Sequence, residues 1–348
     1  MPIQAVVIGC GNFAGAIHLP NLQASPDYAL RAVVDVDPDL ARRTAEQFGA
    51  SYSSTDYQTV LDDAEVELVV ICTPHNLHAP QSLAAVSAGK HVLVEKPMAM
   101  RCEELGPLID AVAEKGVTFT VGFNRRYSSL AQKAKKLLDG RQYPLLMTYR
   151  MVDEVWRHPW ALDPEKGGGR LISEAVHLFD FCTYMIEEEP VRIFAEGGAL
   201  THPEMPDTQD NAVITMKHAD GSIVSITIGD LGSPAYPKER IEMFFGKRTA
   251  LIDNFERLEV RGVEGKQGMA LPWMDKGFVQ ELAELAQAIN SRSPALVTEI
   301  DGARATLCAL GAIEAIRTGR PQTIDLAEAL GDRRPAEEPE SVHRTCVR

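Results

Sequence analysis

The turn Gly9-Cys10-Gly11-Asn12-Phe13-Ala14 stands between an apolar run, IQAVVIG, and a helical pattern that extends from Asn12 to Ser25. A GxGxxA sequence in that position constrains the chain more than anything else in it. Gly9 permits the tight turn, Gly11 lets a pyrophosphate approach the backbone, and Ala14 keeps the helix close to the strand. The first helical amides, beginning at Asn12 and Phe13, face the anion. A glycine-rich turn alone carries little weight. Here a strand precedes it, a helix follows it, and Asp35 closes the next apolar run, LRAVVDV, about 20 residues beyond the loop. A carboxylate at that place accepts hydrogen bonds from ribose hydroxyls and repels a 2′-phosphate, so NAD is favoured as cofactor. NADP stays possible because Arg42 and Arg43 follow on the next helix.

The order of elements extends the argument. Short apolar runs alternate with helical patterns: LRAVVDV, VELVVICTP, HVLVEKP and VTFTVGF succeed the first strand. Strands without interior polar positions, separated by helices, predict an α/β domain with a doubly wound parallel sheet covered on both faces, occupying residues 1–123. Beyond about residue 145 the strands alternate instead. Val224, Ile226 and Ile228 share one face, Ser225 and Thr227 the other. Strands are predicted over 145–152, 191–200, 211–218, 222–230, 239–252 and 257–262, after a helix from about Gly168 to Glu187 that Pro190 terminates. Two late helices, at about 275–290 and 299–318, complete an α+β domain with a mostly antiparallel open sheet over residues 124–330. The apolar-poor stretch 331–348 reads as a flexible tail.

Of the 348 residues, 49 are acidic and 35 basic, a net charge of −14 that repels phosphate backbones and anionic membrane surfaces. No nucleic-acid or membrane partner is expected. The opening residues lack a charged region and cleavage site, and no apolar stretch approaches bilayer length, which predicts a cytoplasmic protein. The six cysteines are scattered without a CxxC pair and read as reduced thiols.

Lys96 ends the strand HVLVEKP at the carboxyl edge of the parallel sheet, where such folds bind ligands. There it can donate to a carbonyl or exchange a proton with an alcohol during hydride transfer, although a surface ion pair with Glu95 is the plainer possibility. The segments GCGNFAGAIHLP, ICTPHNLHA, AGKHVLVEKPMA, GFNRRY and GGGRLISEAVHLFDF, spread over nearly the whole chain, resemble the glucose-fructose oxidoreductase / inositol dehydrogenase (Gfo/Idh/MocA) family. The resemblance implies a pyridine-nucleotide-dependent dehydrogenase acting on a sugar, cyclitol or derivative. It further implies a Rossmann domain and a C-terminal domain whose open sheet serves a homodimer or homotetramer. On the same resemblance Lys96 matches the catalytic lysine. Thr73, Pro74, His78 and Glu95 match the surroundings of the cofactor, and Asn124 and Arg125 lie where the domains meet, on the substrate side.

The helix GGGRLISEAVHLFD carries His177, an acid/base candidate beside Lys96, but places Ser173 where the family commonly has an aspartate. Ser173, Glu174, His177 and Asp180 share one helix surface, so Glu174 or Asp180 is left to orient the imidazole. On the preceding loop Trp156, Arg157, His158 and Trp160 offer indole faces and hydrogen bonds to a sugar ring, or simply pin the loop. His75 and His78 lack a third ligand in sequence, so no metal site is expected. A nucleotide-binding sensor without turnover would need neither Lys96 nor His177. A third alternative is an oxidoreductase that retains its nucleotide and shuttles hydride between two sugars.

Overall fold

Six short strands, all hydrogen-bonded in parallel, begin the chain: β1 (Ile3–Ile8), β2 (Tyr28–Val34), β3 (Tyr52–Ser54), β4 (Leu68–Ile71), β5 (His91–Val94) and β6 (Phe119–Val121). The computed structural model describes residues 1–155, 159–265 and 267–331. The strands lie in the order β3-β2-β1-β4-β5-β6, so the winding reverses between β1 and β4 and opens a crevice at their carboxyl ends. The apolar runs foretell five of these strands because parallel strands are covered on both faces, whereas the edge strand β3 is the polar triplet Tyr52-Ser53-Ser54 and carries no such run. One face, with Val6, Val69 and Val92, meets the helices His78–Ser87 and Leu105–Lys115. The other, with Val7, Val33, Val70 and Leu93, meets the helix Leu19–Ala24 and also Leu282, Leu285, Ala286 and Ile289 from the late helix Phe278–Ser291. A segment some 250 residues downstream thus completes the cover of the first sheet, as the Tyr28 hydroxyl bond to the Leu282 carbonyl at 2.6 Å also shows.

The second sheet runs β14-β13-β12-β11-β7-β10-β9-β8-β15. Its strands are β7 (Leu146–Val152), β8 (Pro190–Gly198), β9 (Asn211–His218), β10 (Ile223–Gly229), β11 (Glu239–Phe245), β12 (Arg248–Asp253), β13 (Arg257–Arg261), β14 (Met269–Ala270) and β15 (Gln322–Thr323). It is antiparallel except where β7 pairs with β10. Val224, Ile226 and Ile228 are buried with Met147, Tyr149 and Met243 under the helices Val176–Ile186 and Glu299–Thr318, while Ser225 and Thr227 occupy the outer face, as their alternation predicts. That outer face also exposes Leu146, Val213, Ile223 and Phe244.

Besides β3 and the helix Ser129–Leu138, which the reading of the sequence did not include, several features differ from it. The single strand expected over 239–252 is a hairpin, turned by Gly246 and Lys247, both with positive φ (51° and 65°). Pro190 does not terminate the preceding helix, which stops at Glu187 in the left-handed conformation (φ 64°). It opens β8 instead. The short strands β14 and β15 carry no alternation long enough to read. Trp156, Arg157, His158 and the tail from residue 332 onward lie outside the described residues. Among the described residues no helix is long and apolar enough to cross a membrane, and no three His, Cys, Asp or Glu side chains gather to hold a metal ion.

Candidate active site

The phosphate-binding turn is built by steric necessity. Gly9 has φ +93°, and a Cβ there would lie 2.7 Å from the carbonyl of Cys72 at the end of β4, so the close approach of the two strand ends requires glycine. In front of Gly11 a Cβ would meet nothing within 4 Å, leaving open space where a pyrophosphate can reach the backbone. Asn12 and Phe13 are exposed at the start of the helical segment, whose turn Ala14–His18 is wider than an α-helix, and Ala14 is buried against the strand. Asp35 does more than await a ribose. Its carboxylate accepts the Cys10 amide at 2.8 Å and the Asp37 amide at 3.0 Å, tying the glycine turn to the exit of β2. Glycines, helix amides and a carboxylate in this arrangement fit a dinucleotide.

Across the crevice, the Thr73 hydroxyl donates to Gln81 at 2.7 Å. His78 sits between the carbonyls of Pro97 (2.7 Å) and Thr73 (2.8 Å), stitching the loop Thr73-Pro74 to the turn after β5. Burial lowers its basicity, against the pull of these carbonyls. Glu95 is buried and takes the His18 ring nitrogen at 2.8 Å; a Cβ at Gly122 would fall 2.7 Å from its carboxylate oxygen and push that side chain aside. The plain ion pair between Lys96 and Glu95 is therefore absent. In the turn after β5, Lys96 reaches away from Glu95 toward the histidine helix. Its ammonium donates to Glu174 Oε1 at 2.6 Å and to the Ser173 carbonyl at 2.8 Å.

The histidine helix enters through Gly168 and Gly169, both with φ +74°. The Ser173 hydroxyl turns back to the Gly169 carbonyl (2.8 Å) and leaves the expected aspartate's place unfilled. Asp180 is unavailable to His177, because Arg126 grips it with Nε at 2.9 Å from Oδ2 and also holds Asp301. His177 itself is buried, with Nδ1 lacking a hydrogen-bond partner among the described residues and the ring edge-on to Phe123. Burial first, and then the positive charges of Arg125 and Lys96, hold it neutral. Glu174, by contrast, is kept ionised against its burial by Lys96 and then by Lys238, 3.5 Å from Oε2.

Asn124 and Arg125, where the two parts of the chain meet, bond to residues of the second part. Asn124 donates to the Lys276 carbonyl at 2.8 Å. Arg125 forks onto Glu239 at 2.8 and 2.9 Å, where Lys276 (2.8 Å) and the Tyr149 hydroxyl (2.6 Å) also converge. Trp160 is part-exposed and meets His75 edge-on at 4.9 Å. His75 in turn bonds the Gly167 carbonyl at 2.8 Å, and burial drives its pKa down to about 3. Lys238, Asp153, Glu239, Lys276 and His18 were not foreseen. Lys238 and Glu239 are adjacent at the start of β11, Asp153 follows β7, Lys276 lies in the loop before the late helix and His18 ends the Ala14–His18 turn, so no shared motif draws them together.

Residues 3–123 match a family model described as the oxidoreductase family with an NAD-binding Rossmann fold, and residues 132–266 match the Gfo/Idh/MocA C-terminal domain. The chain is 28% identical over 339 residues to the myo-inositol 2-dehydrogenase of Thermotoga maritima, covering 93% of this chain and 99% of that one. To the levoglucosan dehydrogenase of Pseudarthrobacter phenanthrenivorans it is 28% identical over 288 residues, 71% and 72% of the two chains. The crystal structure of a probable dehydrogenase from Thermotoga maritima matches with a TM-score of 0.79 at 25% identity, covering 94% of this chain and 100% of that one. The chain therefore belongs to the Gfo/Idh/MocA family of oxidoreductases, and its N-terminal part is that family's NAD-binding Rossmann fold.

Proposed function

We propose that the protein is an NAD-dependent dehydrogenase that interconverts a ring secondary alcohol and a ketone of a sugar, cyclitol or derivative. Lys96 is the acid/base in this reading and His177 assists. The observation that carries it is the Lys96 ammonium, ion-paired to Glu174 at the carboxyl end of β5 and beside the switch point that the Gly9–Ala14 turn faces. Relatives named for myo-inositol and levoglucosan point to polyhydroxylated rings. Residues 1–123 form the nucleotide domain and residues 124–330 the substrate and assembly domain. The backbone at Gly9, Gly11, Asn12, Phe13 and Ala14, with Asp35, Thr73, Pro74, His78 and Glu95, holds the nucleotide.

When bound, NAD takes up or gives the hydride. The chain's own groups handle the proton. Lys96 accepts it from the hydroxyl in oxidation and returns it in reduction, with Glu174 fixing the ammonium's direction. His177, neutral and with a free Nδ1, can donate to or accept from a neighbouring hydroxyl without bringing a second positive charge. Trp160 offers an apolar face to the ring. The outer face of the second sheet, with Leu146, Val213, Ile223 and Phe244 exposed, is the surface for a homodimer or homotetramer. A screen of cyclitols, aldoses, sugar acids and nucleotide sugars with NAD⁺, read as reduced nicotinamide, tests the proposal. Turnover on at least one class is expected, and nucleotide binding without turnover on any would overturn it.

A further inference from the structure

Glu174 does not serve Lys96 alone. Its second oxygen faces the Lys238 ammonium at 3.5 Å, and Lys238 is held from behind by Asp153 at 2.8 Å. The four side chains form an alternating row, Lys96, Glu174, Lys238, Asp153, contributed by the turn after β5, the histidine helix, the residue before β11 and the residue after β7. All four are half-buried or better, so water screens them only partly. The backbone fixes the far end of the row. The Lys238 carbonyl accepts the Val152 amide at 3.1 Å, the Asp153 amide donates to Gly229 at 3.0 Å, and the Asp153 carbonyl accepts the Gly232 amide at 2.8 Å. At Gly232 a Cβ would press to 2.9 Å from that carbonyl.

Such a row has a chemical consequence for a lysine that must both lose and regain a proton. A carboxylate bonded to a single ammonium at 2.6 Å favours the charged lysine and resists proton release. A second cation on the far oxygen withdraws part of that carboxylate's field. We propose that Lys238, braced by Asp153, is a positioning residue that shares Glu174 with Lys96 and so loosens the hold of Glu174 on the Lys96 proton. This rests on the reading of Lys96 as the acid/base. Lys96 faces Glu174 and the imidazoles of His75, His78 and His177; Glu174 faces Lys96, Lys238, His177, His75 and Arg125; Lys238 faces Glu174, Asp153, Glu239 and the like charge of Lys276; and Asp153 faces Lys238 and Arg170. None of the others touches the second oxygen of Glu174 among the contacts described.

The geometry gives opposite signs for two substitutions. Lys238→Gln removes the competing cation and leaves Glu174 wholly to Lys96. Asp153→Asn releases Lys238 to press on Glu174. The test is the pH midpoint at which Lys96 is acetylated by acetic anhydride, followed by mass spectrometry of the Lys96 peptide in the intact protein, with melting temperature as a folding control. Lys238→Gln should move the midpoint up, Asp153→Asn should move it down, and Lys238→Arg should keep the parent value. Opposite shifts support the proposal; no shift, or shifts of the same sign, overturns it. A lysine that only supports the fold would change melting without moving the midpoint. Turnover of Lys96→Met judges the dehydrogenase reading separately, because the labelling needs no substrate.

Discussion

Glu174 lies 2.6 Å from the Lys96 ammonium and forms no hydrogen bond with His177 among the described residues, although it sits one helical turn before that histidine. The carboxylate partner in this site therefore belongs to the lysine. With Ser173 turned back onto Gly169 and Asp180 locked to Arg126, the His177 imidazole has no carboxylate hydrogen-bonded behind it among the described residues.

Glu174→Gln should for that reason act through Lys96. We expect kcat/KM to fall by about 100-fold, roughly 3 kcal/mol of barrier, with NAD affinity unchanged and the pH profile displaced. Steady-state kinetics across pH, beside nucleotide titration, checks this. A variant with parent kinetics would remove Glu174 from the machinery.

Asp35 joins cofactor choice to the integrity of the turn. Asp35→Ser should relax discrimination against NADP, because the like charge facing a 2′-phosphate disappears. Its two backbone bonds, to Cys10 and Asp37, are lost with it, so NAD should also bind more weakly, by about 1 kcal/mol for each bond. Binding isotherms for both nucleotides separate the two effects. Tighter binding of NADP than NAD by the unmodified protein would contradict the role assigned to Asp35.

Glu281 is buried in the first turn of the helix Phe278–Ser291, and both its carboxylate oxygens lack hydrogen-bond partners among the described residues. Burial, reinforced by Glu95 and Glu284, raises its pKa well above the usual 4.5. The folded protein thus keeps a proton that the unfolded chain releases. Its stabilising effect is complete below the unfolded value and is lost as pH rises toward the folded one. Glu281→Gln has no such dependence. The melting temperature of the variant relative to the parent should climb between about pH 4 and about pH 8. A constant or narrowing difference would show that Glu281 is ionised in the fold.

Leu285 lies fully buried between the late helix and the first sheet. Leu285→Ala should cost about 2–5 kcal/mol of stability through the cavity it leaves. Because that cavity opens beneath the strands that carry Gly9, nucleotide affinity should fall along with the denaturation midpoint. An unchanged midpoint would mean that the late helix is dispensable to the nucleotide domain.

Much of this architecture is legible in the sequence because it is local. Apolar runs specify the parallel strands, alternation specifies the face of Val224, Ile226 and Ile228, and GxGxxA specifies a turn whose glycines are then forced by sterics. What escapes the sequence is pairing across distance. Arg125 finds Glu239 and His18 finds Glu95 only once the sheets are assembled. The buried brace between Arg125 and Glu239 is a pairing of this kind. Lys238 and Asp153 carry no motif for the same reason; two strand ends bring them together. The Gly246-Lys247 turn lies in the polar stretch GKRT between MFF and ALI, a hairpin signal that a single strand over 239–252 passes over.

The central claim is that Lys96 carries the chemistry and not merely the fold. It is tested most directly by turnover per folded molecule in Lys96→Met, measured with thermal stability and NAD binding on one preparation. Methionine keeps most of the stem volume and removes the proton carrier. The account predicts a loss of about 100-fold or more in rate, about 3 kcal/mol of barrier, with folding and NAD affinity nearly intact. Substantial retained turnover, or a loss that only tracks reduced stability, would contradict it.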